Sequence, residues 1–188
     1  LKYDDTQIIY STHSTHISEV SNVQNVNILG REGDRCEAYQ PAIGLNPEEI
    51  GNIQRYLDAV RSNLLFAKSV LLVEGDAEEI LVPILIKNVL GVSLDELGIS
   101  LINIRSTGFQ NVAVLFDDAR IRKRCSIVTD LDKSIIYTTP AAVDSEGLLR
   151  RKGKYQASQE KGVARKALLE DTFKDNGWVS PFFAPHTF

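Results

Sequence analysis

The sequence predicts an α/β fold, a mainly parallel sheet flanked by helices, and three observations carry that prediction. Apolar runs at Val70-Leu71-Leu72-Val73, residues 99–104 and residues 125–129 read as strands, and helical patterns at 77–90 and 109–119 separate them. The first of these runs is continuously apolar, as expected of a strand covered on both faces. Connections of ten or more residues demand crossovers, which makes the pairing parallel.

Upstream, residues 7–10 form a short apolar run closed by Ser11-Thr12-His13-Ser14, and Val26-Asn27-Ile28-Leu29 ends at Gly30; both read as strands that belong together. A helix follows, with Asn46 as cap, Pro47 in the first turn and Glu49 completing a capping box. Ile50, Ile53, Leu57, Val60 and Leu64 recur on one face, so it is predicted to run to about Ala67. Beyond Asp132 the chain turns polar and Gly-punctuated through residues 138–154, which reads as a functional or mobile loop. A last helix is expected over 158–173, then a run of strand character to Phe188.

With 188 residues, 43% hydrophobic and 24% charged, the chain has material for one domain, or one domain and part of another, with a real core. No apolar run approaches the ~18 residues of a membrane span, and Leu1-Lys2-Tyr3-Asp4-Asp5 is no secretory signal. The expectation is a soluble cytoplasmic protein without membrane association. Cys36 and Cys125 are too far apart in sequence to suggest a disulfide scaffold or a zinc site. The lack of methionine suggests a piece of a longer protein.

The net charge of −4 argues against a nucleic-acid partner, but its distribution argues for one. Residues 120–166 carry twelve Lys/Arg against five Asp/Glu. Such clustered cations can follow a phosphate backbone, and the bland alternative is a solvated face.

Two motifs carry chemistry. In Val73-Glu74-Gly75-Asp76-Ala77-Glu78-Glu79, Glu74 ends a buried strand, Gly75 permits a sharp turn, and Glu78 lies one turn into the next helix, so Glu74 and Glu78 are placed to face one another. Asp76, Glu78 and Glu79 would also suit a helix N-terminus. In Thr129-Asp130-Leu131-Asp132, residues i and i+2 of an extended chain project together. Like charges at ~4 Å repel by ~4 kcal/mol at an effective dielectric of ~20, so a positive group should lie between them, and a hard divalent cation is the economical choice.

Together these motifs resemble the Toprim domain, a Rossmann-like metal-dependent module of topoisomerases, primases and nucleases. Residues 102–109 and 114–116 are more particularly similar to the OLD (overcoming lysogenisation defect) family, which includes the Gabija-type anti-phage nuclease. Residues 8–14 resemble the switch-histidine strand of an ABC-type ATPase head, His13 being the histidine. The resemblance implies three parts: a C-terminal remnant of that ATPase at 1–45, a linking helix at 46–68, and a Toprim nuclease domain at 69–188.

It also implies an ATP-dependent DNA endonuclease in anti-phage defence. Glu74, Asp130 and Asp132 would be catalytic, and one or two Mg²⁺ or Mn²⁺ ions would be held by Glu74, Glu78, Asp130 and Asp132, with Asp76 as outer-shell or second ligand. Arg122, Lys123, Arg124, Arg150, Arg151, Lys152 and Lys154 would hold DNA. A homo-oligomer and a helicase-like partner protein are further expectations. ATP would act only through an absent upstream domain, because no G-x-x-x-x-G-K-[ST] loop occurs. The family's later acid and lysine have no assigned counterpart among Lys152, Lys154 and Lys161. Rival readings are a degenerate Toprim module for DNA docking or assembly, and another Toprim enzyme such as a primase or RNA-maturation nuclease.

Overall fold

A computed structural model describes residues 5–57 and 61–186. Residues 1–4, 58–60 and 187–188 lie outside the described residues, Val60 of the predicted helix face among them. In chain order the elements are α1 (Thr15–Val20), the strands β1 (Ile28–Glu32) and β2 (Arg35–Tyr39), and α2 (Pro47–Tyr56). Then come β3 (Ser69–Val73), α3 (Asp76–Leu90), α4 (Leu94–Leu97), β4 (Ile99–Asn103), α5 (Gln110–Ala113), β5 (Arg124–Asp130), α6 (Glu146–Phe173) and β6 (Val179–Ala184).

β1 and β2 form an antiparallel hairpin, and the other four strands form a fully parallel sheet of order β4-β3-β5-β6. The continuous apolar run of β3 is explained by its two buried faces. Val70 and Leu72 join the main core with Ile102, Ile127, Leu169 and Phe173, whereas Leu71 and Val73 meet Val82 of α3 in a smaller cluster. Ile28, Tyr39, Ile53 and Leu57 belong to the same main core as the sheet.

Several boundaries differ from expectation. Residues 7–10 are irregular instead of a strand. The capping box of Asn46 and Glu49 is present, but α2 stops at Tyr56, where Leu57 leaves helical geometry, and Leu64 and Leu65 are buried from a separate 3₁₀ turn at Arg61–Leu65. The predicted helix 109–119 shortens to α5, after which the amides of Leu115 and Phe116 bond back three residues to Val112 and Ala113, and the Asp117 carboxylate accepts from the amides of Ala119 and Arg120 in a separate turn.

The largest correction concerns α6. It starts at Glu146 behind a Ser145 cap, so residues 146–154 form two turns of helix, not a loop. Gly147 and Gly153 read as turn residues in sequence, yet a helix accepts them at a cost of ~1 kcal/mol each relative to alanine.

Candidate functional site

β3 and β5 lie side by side, and the chain leaves β3 toward β4 on one side before returning to β5 on the other. Open parallel sheets form their crevice at such a switch point, beyond the carboxyl ends of the strands. The register Val73↔Val128 sets Glu74 beside Thr129. The fully buried Thr129 hydroxyl donates to Glu74 Oε2 at 2.6 Å, which fixes the direction of the carboxylate.

Asp130, buried, is the last residue of β5. Asp132 is not in extended chain as the i, i+2 argument supposed. It has φ 51°, and its amide donates to Asp130 Oδ1 at 3.2 Å. Aspartate tolerates this left-handed conformation better than most residues, and the Asx-type bond shows how the turn is held.

The three acids nevertheless converge, and the group between them is Arg165 of α6. Its Nη1 lies 3.3 Å from Glu74 Oε1, and its Nη2 lies 3.5 Å from both Asp130 Oδ1 and Asp132 Oδ2. Nη2 also donates to the Asp130 main-chain oxygen at 2.6 Å. The Arg165 side chain is 9% exposed, and its Nε is buried without a hydrogen-bond partner.

Gly162 makes this approach feasible. A Cβ there would lie 2.4 Å from Leu131 O, so only glycine lets α6 rest on the backbone just past β5. Arg165 follows one turn later, and Leu169 and Phe173 anchor the same helical face in the core.

Three carboxylates around one guanidinium leave a local excess of negative charge. Burial, reinforced by Asp130 and Asp132, raises the Glu74 pKa above the ordinary glutamate value, while the Thr129 hydroxyl and Arg165 pull it down. Thr129, Gly162 and Arg165 were not predicted as site residues. The one legible signal was the spacing Gly162, Arg165, Leu169, Phe173 on a single helix face.

Glu78 is buried, and its Oε2 accepts from the Gly75 amide at 3.0 Å, closing the first turn of α3. A second acidic group forms beside it: Asn103, at the end of β4, donates to Asp76 Oδ1 at 2.8 Å and to Glu79 Oε2 at 2.7 Å. Asp76 therefore sits with Glu79 and Asn103. Asn103 was another residue the sequence reading passed over, a polar side chain at the end of an apolar strand.

The cations divide by burial. Lys123 is turned inward, donating to Leu65 O at 2.8 Å, and burial lowers its pKa. Lys152 is buried, bound to Thr139 O at 2.9 Å and Asp144 Oδ2 at 2.7 Å. Each of the two ammonium groups is held by an acceptor of the fold. Arg122 pairs with Glu37 and lies over Tyr39, Arg124 stacks on Trp178 at 5.5 Å, and Arg150 pairs with Glu146. Arg151 and Lys154 are exposed along α6, and His13 is exposed ahead of α1.

Whether a divalent ion suits the acid cluster is answered first by donor chemistry. Carboxylate oxygens of Glu74, Asp130 and Asp132 are the hard ligands that Mg²⁺ and Mn²⁺ take. A cationic group with an unpartnered buried Nε already stands among them. As these side chains stand, no group of three or more His, Cys, Asp or Glu among the described residues is arranged to hold a metal ion. The donors fit in kind, and the cation they meet in this structure is Arg165.

Residues 65–132 match the family model described as "Overcoming lysogenization defect protein-like, TOPRIM domain". Similar solved structures include the C-terminal region of the Xanthomonas campestris pv. campestris OLD protein, at 21% identity over 67% of this chain and 54% of that one, TM-score 0.38. Another is the C-terminal region of the Burkholderia pseudomallei OLD protein, at 27% identity over 65% of this chain and 56% of that one, TM-score 0.38. The chain thus spans about half the length of those regions. No curated protein matches the chain.

Proposed function

We infer, from an OLD-family Toprim domain at residues 65–132, that this chain is the catalytic part of an OLD-like, ATP-dependent DNA endonuclease. The observation that carries the reading is the meeting of Glu74, Asp130 and Asp132 at the ends of neighbouring parallel strands. Those three side chains would hold one or two Mg²⁺ or Mn²⁺ ions. A divalent ion bound there supplies a water of lowered pKa and neutralises charge on a phosphodiester.

The chain's own residues do the rest. The Thr129 hydroxyl aims the Glu74 carboxylate, the Asp130 side chain holds the Asp132 turn, and Glu74 and Asp132 stay partly open to solvent above the buried Asp130. Arg151 and Lys154, exposed along α6 together with Arg150, are cations suited to a DNA backbone, giving affinity without base readout. ATP control, a homo-oligomer, a helicase-like partner and a role in anti-phage defence belong to the same proposal and would act through the full-length protein. No helix among the described residues is long and apolar enough to cross a membrane.

A second reading has an observation in its favour. The guanidinium among the acids is what a Toprim module that has given up ion binding, and serves only in docking or assembly, would also contain.

Cleavage of supercoiled plasmid by the full-length protein separates the two. Asp130→Ala and Glu74→Ala are each expected to abolish Mg²⁺- or Mn²⁺-dependent nicking while the protein stays folded. Undiminished nicking by both variants would end the assignment. A wild-type protein that neither cuts nor gains thermal stability in millimolar Mn²⁺ would favour the docking module.

A further inference from the structure

We propose that Arg165 is a tethered counter-cation of the acid cluster, occupying the place a divalent ion would take and leaving it when the ion enters. The proposal rests on the metal-dependent reading above and adds the residue that sets the ion's apparent affinity.

The geometry argues for a replaceable cation. A guanidinium bound for good to carboxylates is usually bidentate, with N···O near ~2.7–2.9 Å. Here the two terminal nitrogens are shared among three acids at 3.3 to 3.5 Å. The one short contact, 2.6 Å, goes to the Asp130 main-chain oxygen, which is not a carboxylate. Nε, buried, has no acceptor at all. Arg165 is thus held at the cluster by charge and by long, shared hydrogen bonds to the three carboxylates, with its one short bond going to the main chain.

The position is nonetheless built. Gly162 brings the helix backbone against Leu131, and Leu169 and Phe173 pin the following turns in the core, so the Arg165 backbone is fixed within reach of the acids. The side chain above that anchored backbone has four rotatable bonds and can swing while the helix stays. In the absence of an ion the arrangement neutralises part of a three-carboxylate cluster whose mutual repulsion would otherwise spread the ends of β3 and β5. In the presence of an ion, +1 and +2 charges cannot share the same few ångströms, and the guanidinium yields.

A purely structural salt bridge makes the opposite prediction. If Arg165 only fastened α6 to the sheet, its removal would loosen the acids and weaken ion binding or leave it unchanged. If it competes with the ion, its removal tightens binding.

The experiment is a calorimetric Mn²⁺ titration of this chain as wild type, Arg165→Gln and Arg165→Lys, with thermal melts in parallel and Asp130→Asn as the control that assigns the bound ion to this cluster. Arg165→Gln is expected to bind Mn²⁺ about tenfold more tightly or better, since a unit charge a few ångströms from the ion is gone. Without Mn²⁺ the same variant melts lower than wild type, and millimolar Mn²⁺ closes the gap. Arg165→Lys, whose single ammonium meets fewer of the three acids, falls between.

Equal or weaker binding by Arg165→Gln, with wild type still binding, overturns the role of Arg165 and leaves the metal reading standing. Binding by none of the three proteins overturns the metal reading and this proposal with it. Mn²⁺ binding that survives in Asp130→Asn places the ion elsewhere and also overturns it. Should Arg165→Gln fold only with Mn²⁺ present, Arg165→Lys decides: affinity no tighter than wild type refutes the competition.

Discussion

Replacing Gly162 by alanine sets two well-measured effects against each other. Within a helix the change should stabilise by ~0.8–1.0 kcal/mol, because glycine loses more backbone entropy than alanine. The structure opposes this: the new methyl would sit 2.4 Å from Leu131 O, 2.6 Å from Leu131 C and 2.8 Å from Leu131 Cα, where ordinary contact begins at 3.4 Å. All three are backbone atoms, so the overlap has no flexible side chain to push aside. Overpacking of this kind costs ~1–3 kcal/mol.

Gly153 supplies the control. It lies in the same helix with open space where its Cβ would go, so Gly153→Ala shows the propensity gain alone. The difference between the two variants isolates the overlap, about 1–3 kcal/mol, or roughly 2–12 °C in Tm for a chain of this size. Thermal melts should show Gly153→Ala rising and Gly162→Ala falling relative to it by that amount. A second readout follows: shifting α6 moves Arg165 off Glu74, so the Glu74 carboxyl should titrate still higher by NMR, because Arg165 is one of the groups that lower it. Equal stabilisation by both substitutions would refute the close approach, and with it the account of how Arg165 reaches the acids.

Other outcomes follow from the same contacts. The raised Glu74 pKa means that its contribution to stability is present at pH below the usual carboxylate range and is lost as pH rises through the folded value. Glu74→Gln, without divalent ion, should therefore match or exceed wild-type stability at neutral pH, its advantage shrinking as pH falls; urea midpoints across pH 3–8 check this, and a variant weaker at neutral pH contradicts it. Asp144 behaves with the opposite sign. The hydrogen bond from Lys152, helped by the Ala141 amide, lowers its pKa, so its contribution is present above the unfolded value and disappears as pH falls through the folded one. Asp144→Asn should lose stability at neutral pH and converge with wild type in acid, with helicity followed by circular dichroism; a deficit that persists unchanged in acid contradicts the assignment. For DNA, Arg151→Gln with Lys154→Gln should flatten the slope of log K against log salt by about 2, whereas an unchanged slope would remove these cations from the interface.

From residue 69 to 130 the succession of strands along the chain, and the acids at their ends, were legible in the residues themselves. β3 and β5 are apolar runs that end in acid-bearing turns, and a crossover rule makes such runs parallel, so Glu74 and Asp130 had to arrive at the same edge once the strands were neighbours. The capping box at Asn46 and Glu49 was equally local and equally readable. What sequence could not decide was which cation would answer the acids, because Arg165 lies 91 residues from Glu74 and looks like any other basic residue on a helix. The same holds for Lys123 and Lys152, which read as part of a basic surface until packing turned them inward, and for Glu78, whose partner is an amide three residues away. Periodicity and turn chemistry act over a few residues and are written in the chain. The pairing of charges across a packed interface depends on where a helix comes to rest, and for α6 that was settled by one missing methyl at Gly162.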